Sequence, residues 1–414
     1  MKRFYKPAIL ALFLIFTAIA SAADYDFESD GIYYKVMSLD KMTVGVTKGD
    51  KNYTGKVVIP STVSYNDRTF TVTQILGYSF ESSTVTEVSL PKTITFIGYK
   101  AFSLTSRLKG IELPTEQPLR IVGNVFSGTA LESIVIPDNV TELGSYVFSS
   151  CKSLVSVEIG EGITEIPEYA FTDNDKLENI KLNSNITSIG RGAFRRCGVL
   201  TEISLPEGVK SIGSYAFSGC SRLTDIKLPE GIEKIGMYMF EDCVRLTEIT
   251  IPNNVLTVEH SAFHGCTKLK KVIFGAKIEK IEISCIEGCT ALTEIGIRNP
   301  EPPTCKAFTN KQYMDIALKV PGAAIADYKK AEPWKKFWSI EAIGSSSVDA
   351  VAAEHNVLVR GGAIYLTDEA AAQGVKVYDT TGRCVYEGHD AVVSGLTSGI
   401  YIVKTQDTTV KICL

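Results

Sequence analysis

Histidine is scarce in this chain, four residues in 414, so imidazole-centred chemistry has few places to occur. Excess positive charge is also missing. With 43 basic against 47 acidic side chains the net charge is −4, which argues against electrostatic nucleic-acid binding. Beyond residue 22 no run is long and apolar enough to span a bilayer, so no transmembrane helix is expected after the leader. There is no Walker-type phosphate loop. The repeated Glu-Gly dipeptides, Glu207-Gly208 and Glu230-Gly231, sit at turns rather than between a strand and a helix start. No cysteine precedes Cys151, which argues against a lipid-modified N-terminus. From these absences we expect no enzyme, no cofactor and no metal site.

What is present begins with residues 1–22. Lys2, Arg3 and Lys6 precede an apolar run from Ala8 to Ile19, and Ala20-Ser21-Ala22 closes it. This predicts a secretory signal peptide cleaved after Ala22, and therefore an exported protein. Cleavage removes three basic groups and no acid, moving the net charge from −4 to −7.

A 23-residue period organises the middle of the chain. Leu108, Leu131, Leu154, Leu177, Leu200, Leu223, Leu246, Leu269 and Leu292 follow one another without a break, and an apolar residue recurs three and five places after each. The pattern Leu-x-x-Ile-x-Leu alternates apolar with polar, as a short half-buried strand does. Pro137, Pro206, Pro229 and Pro252 end such strands, because proline has no N–H to extend a ladder. On the return path Phe80, Phe102, Phe126, Phe148, Phe171, Phe194, Phe217, Phe240 and Phe263 form a second apolar column beside mostly small residues. One such unit cannot bury its apolar face alone, whereas stacked units bury a continuous one. The expected fold is a β-rich solenoid: a leucine-rich repeat stack with one parallel sheet and a ladder of Phe on the return side, followed by a small all-β sandwich domain.

Units such as 200–219, LTEISLPEGVKSIGSYAFSG, resemble the BspA-like leucine-rich repeats of bacterial surface proteins, over roughly residues 55–310. The resemblance implies a cell-surface or secreted protein that adheres to host extracellular-matrix proteins or to other bacteria, with a protein as partner. The alternative is a non-adhesive structural or scaffolding protein of the envelope. The segments VYDTTGRCVYEG (377–388) and SGLTSGIYIVK (394–404) resemble the C-terminal sorting domain of the type IX secretion system in Bacteroidetes, with a plain β-sandwich stalk as the alternative. The expected division is 1–22 signal peptide, 23–73 N-terminal β cap, 74–298 repeats, 299–343 C-terminal cap of the solenoid, 344–356 Ser-rich linker, and 357–414 sorting-domain-like β-sandwich. The expected location is the outer cell surface or the extracellular space.

Cys151, Cys197, Cys220, Cys243, Cys266 and Cys289 all lie three residues before a repeat Leu, where Thr105, Gly128 and Asn174 stand in other units. They are read as reduced, buried thiols. Parallel side-chain vectors hold neighbouring Cβ atoms too far apart for easy disulfides, and a line of thiols does not make a tetrahedron for zinc. His260 and His264 fall where the repeat tolerates anything and are read as surface substitutions.

The outward strand positions carry the functional expectation. Glu202, Asp225, Glu248, Lys271 and Glu294 fall one above another, beside a column of Thr201, Thr224, Thr247 and Thr293. This predicts a flat, acidic-leaning face with few exposed aromatics, suited to a large basic or hydroxyl-rich partner rather than a small ligand. The competing reading of the same column is a merely solvated strand face.

Overall fold

The computed structural model describes residues 25–306, 308–343, 351–352, 357–360, 363–366, 371–397, 399–405 and 409–413. Residues 1–22, read as a signal peptide, and most of the segment read as a Ser-rich linker lie outside the described residues. The chain divides into two compact units, Met1–Ile340 and Glu341–Leu414.

The first unit is a stack of coils with a continuous core. Along one side, Ser133–Ile136, Ser156–Ile159 and Asn179–Lys181 pair in parallel, with Ile134 opposite Val157 and Val157 opposite Ile180. Further on, Glu248–Thr250, Lys271–Phe274, Glu294–Ile297 and Ala317–Val320 do the same. The registers repeat the 23-residue offset, so each inward aliphatic meets its counterpart in the next coil. Residues 201–205 and 224–228 carry no strand, yet Ile203, Leu205, Ile226 and Leu228 remain buried there. Side-chain burial, not an unbroken backbone ladder, holds those two coils in line.

The expectation of one parallel sheet needs correction. A second parallel ladder runs along the return side, built from two-residue strands such as Ser188–Ile189, Ser211–Ile212, Lys234–Ile235, Thr257–Val258 and Lys280–Ile281. Each shows one polar residue outward and one Ile or Val inward, too short a pattern to announce a strand by alternation. The glycine that follows has a steric reason. A Cβ on Gly213 would lie 2.5 Å from the Arg191 nitrogen, and one on Gly190 would lie 2.6 Å from that of Glu168, so backbone passes directly over backbone there.

The phenylalanines close the core. From Phe80 to Phe263 successive rings stack with centroids 5.0–5.6 Å apart and planes within 15°. Beside them each coil donates to the next through bonds such as Phe148 N–H to Ala170 O and Phe171 N–H to Ala193 O, 2.9 and 2.8 Å.

Within the segment read as an N-terminal cap, Phe27–Ser29, Ile32–Ser38 and Thr43–Thr47 form antiparallel hairpins. Parallel stacking already begins there: Thr43–Thr47 pairs with Arg68–Ile75, and Thr54–Val58 pairs with Thr84–Ser89. The inserted hairpin Thr62–Tyr65 to Arg68–Ile75 turns through Asn66 and Asp67, both at positive φ. At the other end Phe308, Tyr313, Trp334 and Phe337 form a ring cluster, with Trp334 Nε1 donating to Pro303 O at 2.8 Å.

The second unit has two antiparallel sheets. One orders Val351–Ala352, Val357–Arg360, Ala363–Leu366 and Val392–Val393; the other orders Cys384–Gly388, Val375–Asp379, Ile400–Lys404 and Thr409–Cys413. Ile364, Val375, Val377, Tyr401 and Val403 are among its core residues. The turn at residues 379–383 is organised by Asp379, whose Oδ1 accepts from the Thr381 and Arg383 N–H groups, with Gly382 at φ 83°.

Candidate interaction surfaces

The five residues of the predicted face do not form one electrostatic unit. Glu202, Asp225 and Glu248 are exposed and make no ion pair among the described residues. Lys271 and Glu294 are paired at 2.8 Å, and Lys319 adds a second cation 3.6 Å from Glu294. Partial burial pushes the Glu294 carboxyl up, but Lys271 and Lys319 outweigh it and hold the group below the usual range. Lys227, two residues after Asp225 in the same extended segment, reaches to Glu207 at 2.6 Å instead. Cross-coil pairs also neutralise the earlier coils: Lys109 with Glu132 at 2.9 Å and Lys181 with Glu158 at 2.5 Å. Of the five predicted residues, the uncompensated acids are therefore Glu202, Asp225 and Glu248, in three successive coils.

The thiol column is buried, and it does more than fill space. Cys197, Cys220, Cys243, Cys266 and Cys289 donate through Sγ to the carbonyls of Phe171, Phe194, Phe217, Phe240 and Phe263 of the preceding coil, at 3.0–3.3 Å. Asn174 Nδ2 and Thr105 Oγ1 make the same cross-coil bond, to Phe148 O and Phe80 O. The position selects a small side chain with one donor. Gly128 is corrected out of this slot. Thr129 Oγ1 donates to Phe126 O at 2.8 Å and contacts Cys151 Sγ, while Gly128, at φ 71°, matches the left-handed Ser150 of the next coil. Phe126 stands one residue nearer its following Leu than Phe148 does, so counting from the leucines misplaces the slot.

Away from the strand face, an aromatic column was missed. Two residues before the Phe ladder stand Tyr78, Tyr146, Tyr169, Tyr215 and Tyr238, all at φ 53–63°. Tyr146 stacks on Tyr169 at 4.8 Å and 13°, and Tyr215 on Tyr238 at 4.9 Å and 12°. Tyr78, Tyr99 and Tyr146 are 45%, 43% and 38% exposed. The guanidinium carbons of Arg191 and Arg195 lie 5.2 and 5.9 Å from the Tyr215 ring centre. The signal was available: tyrosine recurs at 23-residue spacing in 146–169 and in 215–238. In the next coil Ser261 takes the tyrosine position, and His260 beside it packs edge-on to Tyr238 at 5.5 Å and is hydrogen-bonded through Nδ1 to the buried Ser284 hydroxyl.

Among the described residues no group of three or more His, Cys, Asp or Glu is placed to hold a metal ion, and no helix is long and apolar enough to cross a membrane. A cleft of about 850 Å³ opens between the last coil and the helix Asn310–Asp315, lined by Cys289, Leu292, Phe308, Gln312 and Ile316 among others. Of its charged lining residues, Lys311 and Asp315 are paired with each other, and Glu287 is the third.

The stacked coils with two parallel ladders and a ring ladder define a β-solenoid of the leucine-rich repeat class. The chain belongs to the family described as BspA type leucine-rich repeat region, which matches in six copies over residues 73–199, 119–221 and 187–315. It is similar in structure to a leucine-rich cell surface protein from Faecalibacterium prausnitzii, with 21% identity, 66% of this chain and 94% of that one covered, and a TM-score of 0.42. It is also similar to the pneumococcal vaccine antigen PcpA, with 20% identity, 78% and 98% covered, and a TM-score of 0.46. A leucine-rich repeat protein from Bacteroides ovatus gives 23% identity, 69% and 100% covered, and a TM-score of 0.30. No curated protein matches the chain.

Proposed function

We propose that this chain is an exported surface protein whose repeats bind another protein, and that it serves in adhesion to host matrix or to other cells. The observation that carries the reading is the run of Glu202, Asp225 and Glu248, stacked in one column, exposed and unpaired among the described residues, whereas Glu294 further along the column is paired with Lys271. A merely solvated face gains nothing from leaving like charges next to one another, and like charges in register repel. A partner that brings basic groups relieves that repulsion and gains speed of encounter from the same field. The signal-peptide reading of residues 1–22 and the sorting-domain resemblance of residues 377–404 support export and surface location.

The test is binding of the purified chain to a panel of extracellular-matrix proteins and to host cells. Reversing the three acids together, as E202K/D225K/E248K, abolishes binding, and raising the salt weakens it in the unchanged chain. Silence of the unchanged chain across the panel overturns adhesion and favours a scaffolding role in the envelope.

A further inference from the structure

Between Tyr146 and Tyr238 the tyrosine column is interrupted once, in the coil that carries Arg191, Gly192, Arg195 and Arg196. Gly192 occupies the tyrosine position at φ 59°, and a Cβ there would meet the Tyr169 ring at 2.4 Å. With no ring of its own, this coil leaves the near face of Tyr215 open, and the guanidinium groups of Arg191 and Arg195 occupy it, 5.2 and 5.9 Å from the centroid. The far face of Tyr215 is covered by Tyr238. Arg191 and Arg195 make no ion pair among the described residues, and the Nε of Arg195 is buried with no acceptor. The neighbouring Arg196, by contrast, lies 3.5 Å from Asp173.

We infer that Arg191, Arg195 and Tyr215 form a second docking surface, distinct from the acidic strand face, whose partner is a protein segment bearing carboxylates. Sugar rings bind by lying on open aromatic faces, and both faces of Tyr215 are taken. What remains outward is the edge of two planar cations, whose N–H forks match a carboxylate in pairs. The ring holds these cations in place beforehand, so little ordering remains to be done on binding. Arginine and tyrosine are the residue types that dominate protein interfaces when so held. The site is one coil wide. Glu168 precedes Arg191 in its column and Met237, 44% exposed, follows two coils later, while Glu241 stands two coils after Arg195. That pattern fits one or two carboxylates with apolar neighbours, and opposes a long, regularly charged polysaccharide, which would need cations in row after row. The inference does not rest on the strand-face reading.

The experiment is fluorescence anisotropy of the full chain with three labelled probes: a short oligoglutamate, an oligoglutamine of the same length, and oligogalacturonate. Oligoglutamate is expected to bind most tightly. R191A/R195A and Y215A each weaken that binding at least about tenfold, as the loss of a charge-assisted pair does. R191K/R195K, which keeps the charge and loses the fork, falls between, and thermal melts confirm that the variants fold. R196A and E202Q/D225N/E248Q leave oligoglutamate binding unchanged, whereas R191A/R195A leaves binding to matrix proteins unchanged, so the two surfaces fail separately. Oligoglutamate binding no tighter than oligoglutamine, equal binding by R191A/R195A, or tighter binding of oligogalacturonate overturns the inference.

Discussion

At the scale of single residues, the buried thiols show how a repeat position acquires a chemical specification. The slot asks for one donor toward the carbonyl of the preceding Phe, and Cys, Thr and Asn all meet it. Cys220→Thr should therefore change stability at pH 7 by no more than about 1 kcal/mol, whereas Cys220→Ala, which deletes the bond and leaves a small void, costs about 1–2 kcal/mol. Urea denaturation of both variants checks this. Burial also pushes the Cys151 and Cys220 thiols up, to about 11 and about 12. An unfolded thiol ionises near its ordinary value of about 8.5, so above that pH the unfolded chain binds fewer protons than the folded one. The stabilising contribution is complete below that value and is lost as pH rises toward the folded values. Denaturation midpoints should therefore fall between about pH 9 and 11, and fall less in Cys220→Thr. Thiol-reactive reagent should label the ladder only after denaturation, since only thiolate reacts and the core excludes it.

At the scale of the coil, the interactions are repeated contacts with the next copy, and single changes there are costly. Phe194 lies between Phe171 and Phe217 with both centroids 5.6 Å away. Phe194→Ala should cost about 3–5 kcal/mol, because neither neighbouring coil can collapse into the gap without breaking its own ladder. Gly213→Ala should also destabilise strongly, since its Cβ falls 2.5 Å from backbone, while Gly198→Ala, 3.6 Å from the Ser221 hydroxyl, should be tolerated; melting temperatures of the pair decide it. These elements explain what could be read in advance. The Leu and Phe columns were legible because large apolar residues recur at fixed distances and must be buried. The second parallel ladder was not, because a two-residue strand has no period to detect. Gly128 was put in the slot that Thr129 fills because the coil containing Phe126 is one residue shorter on one side, which leaves the Leu spacing intact. The tyrosine column was overlooked because aromatic residues beside a core Phe read as more core, and only the left-handed backbone at Tyr146, Tyr169, Tyr215 and Tyr238 turns them outward. For the acidic face, sequence placed the residues in line, but which of them are neutralised depended on where Lys227, Lys271 and Lys319 reach.

At the scale of the whole chain, each unit has its own core, and the two should respond differently to truncation. Among the described residues, the buried column of the repeats is made by residues before 341, so a chain ending at Ile340 should melt with the repeats unchanged. A chain ending at Arg298 should not, because it loses Trp334, Tyr328 and Phe337, all buried against the end of the column. It would expose the last coil, with Leu292, Ile295 and Ile297, as an unpaired sheet edge, the kind of surface that drives association. Size-exclusion chromatography and circular dichroism of the two truncations separate the cases: monomer with intact repeats for the first, aggregate for the second. The first truncation then becomes the instrument for the export question. Since its repeats fold, a failure of that chain to reach the cell surface cannot be charged to misfolding, and must come from the missing residues. Fractionation of cells producing the full chain and the chain ending at Ile340 should find the first at the surface and the second retained. Equal amounts of both at the surface would leave residues 341–414 as a stalk and remove the sorting role.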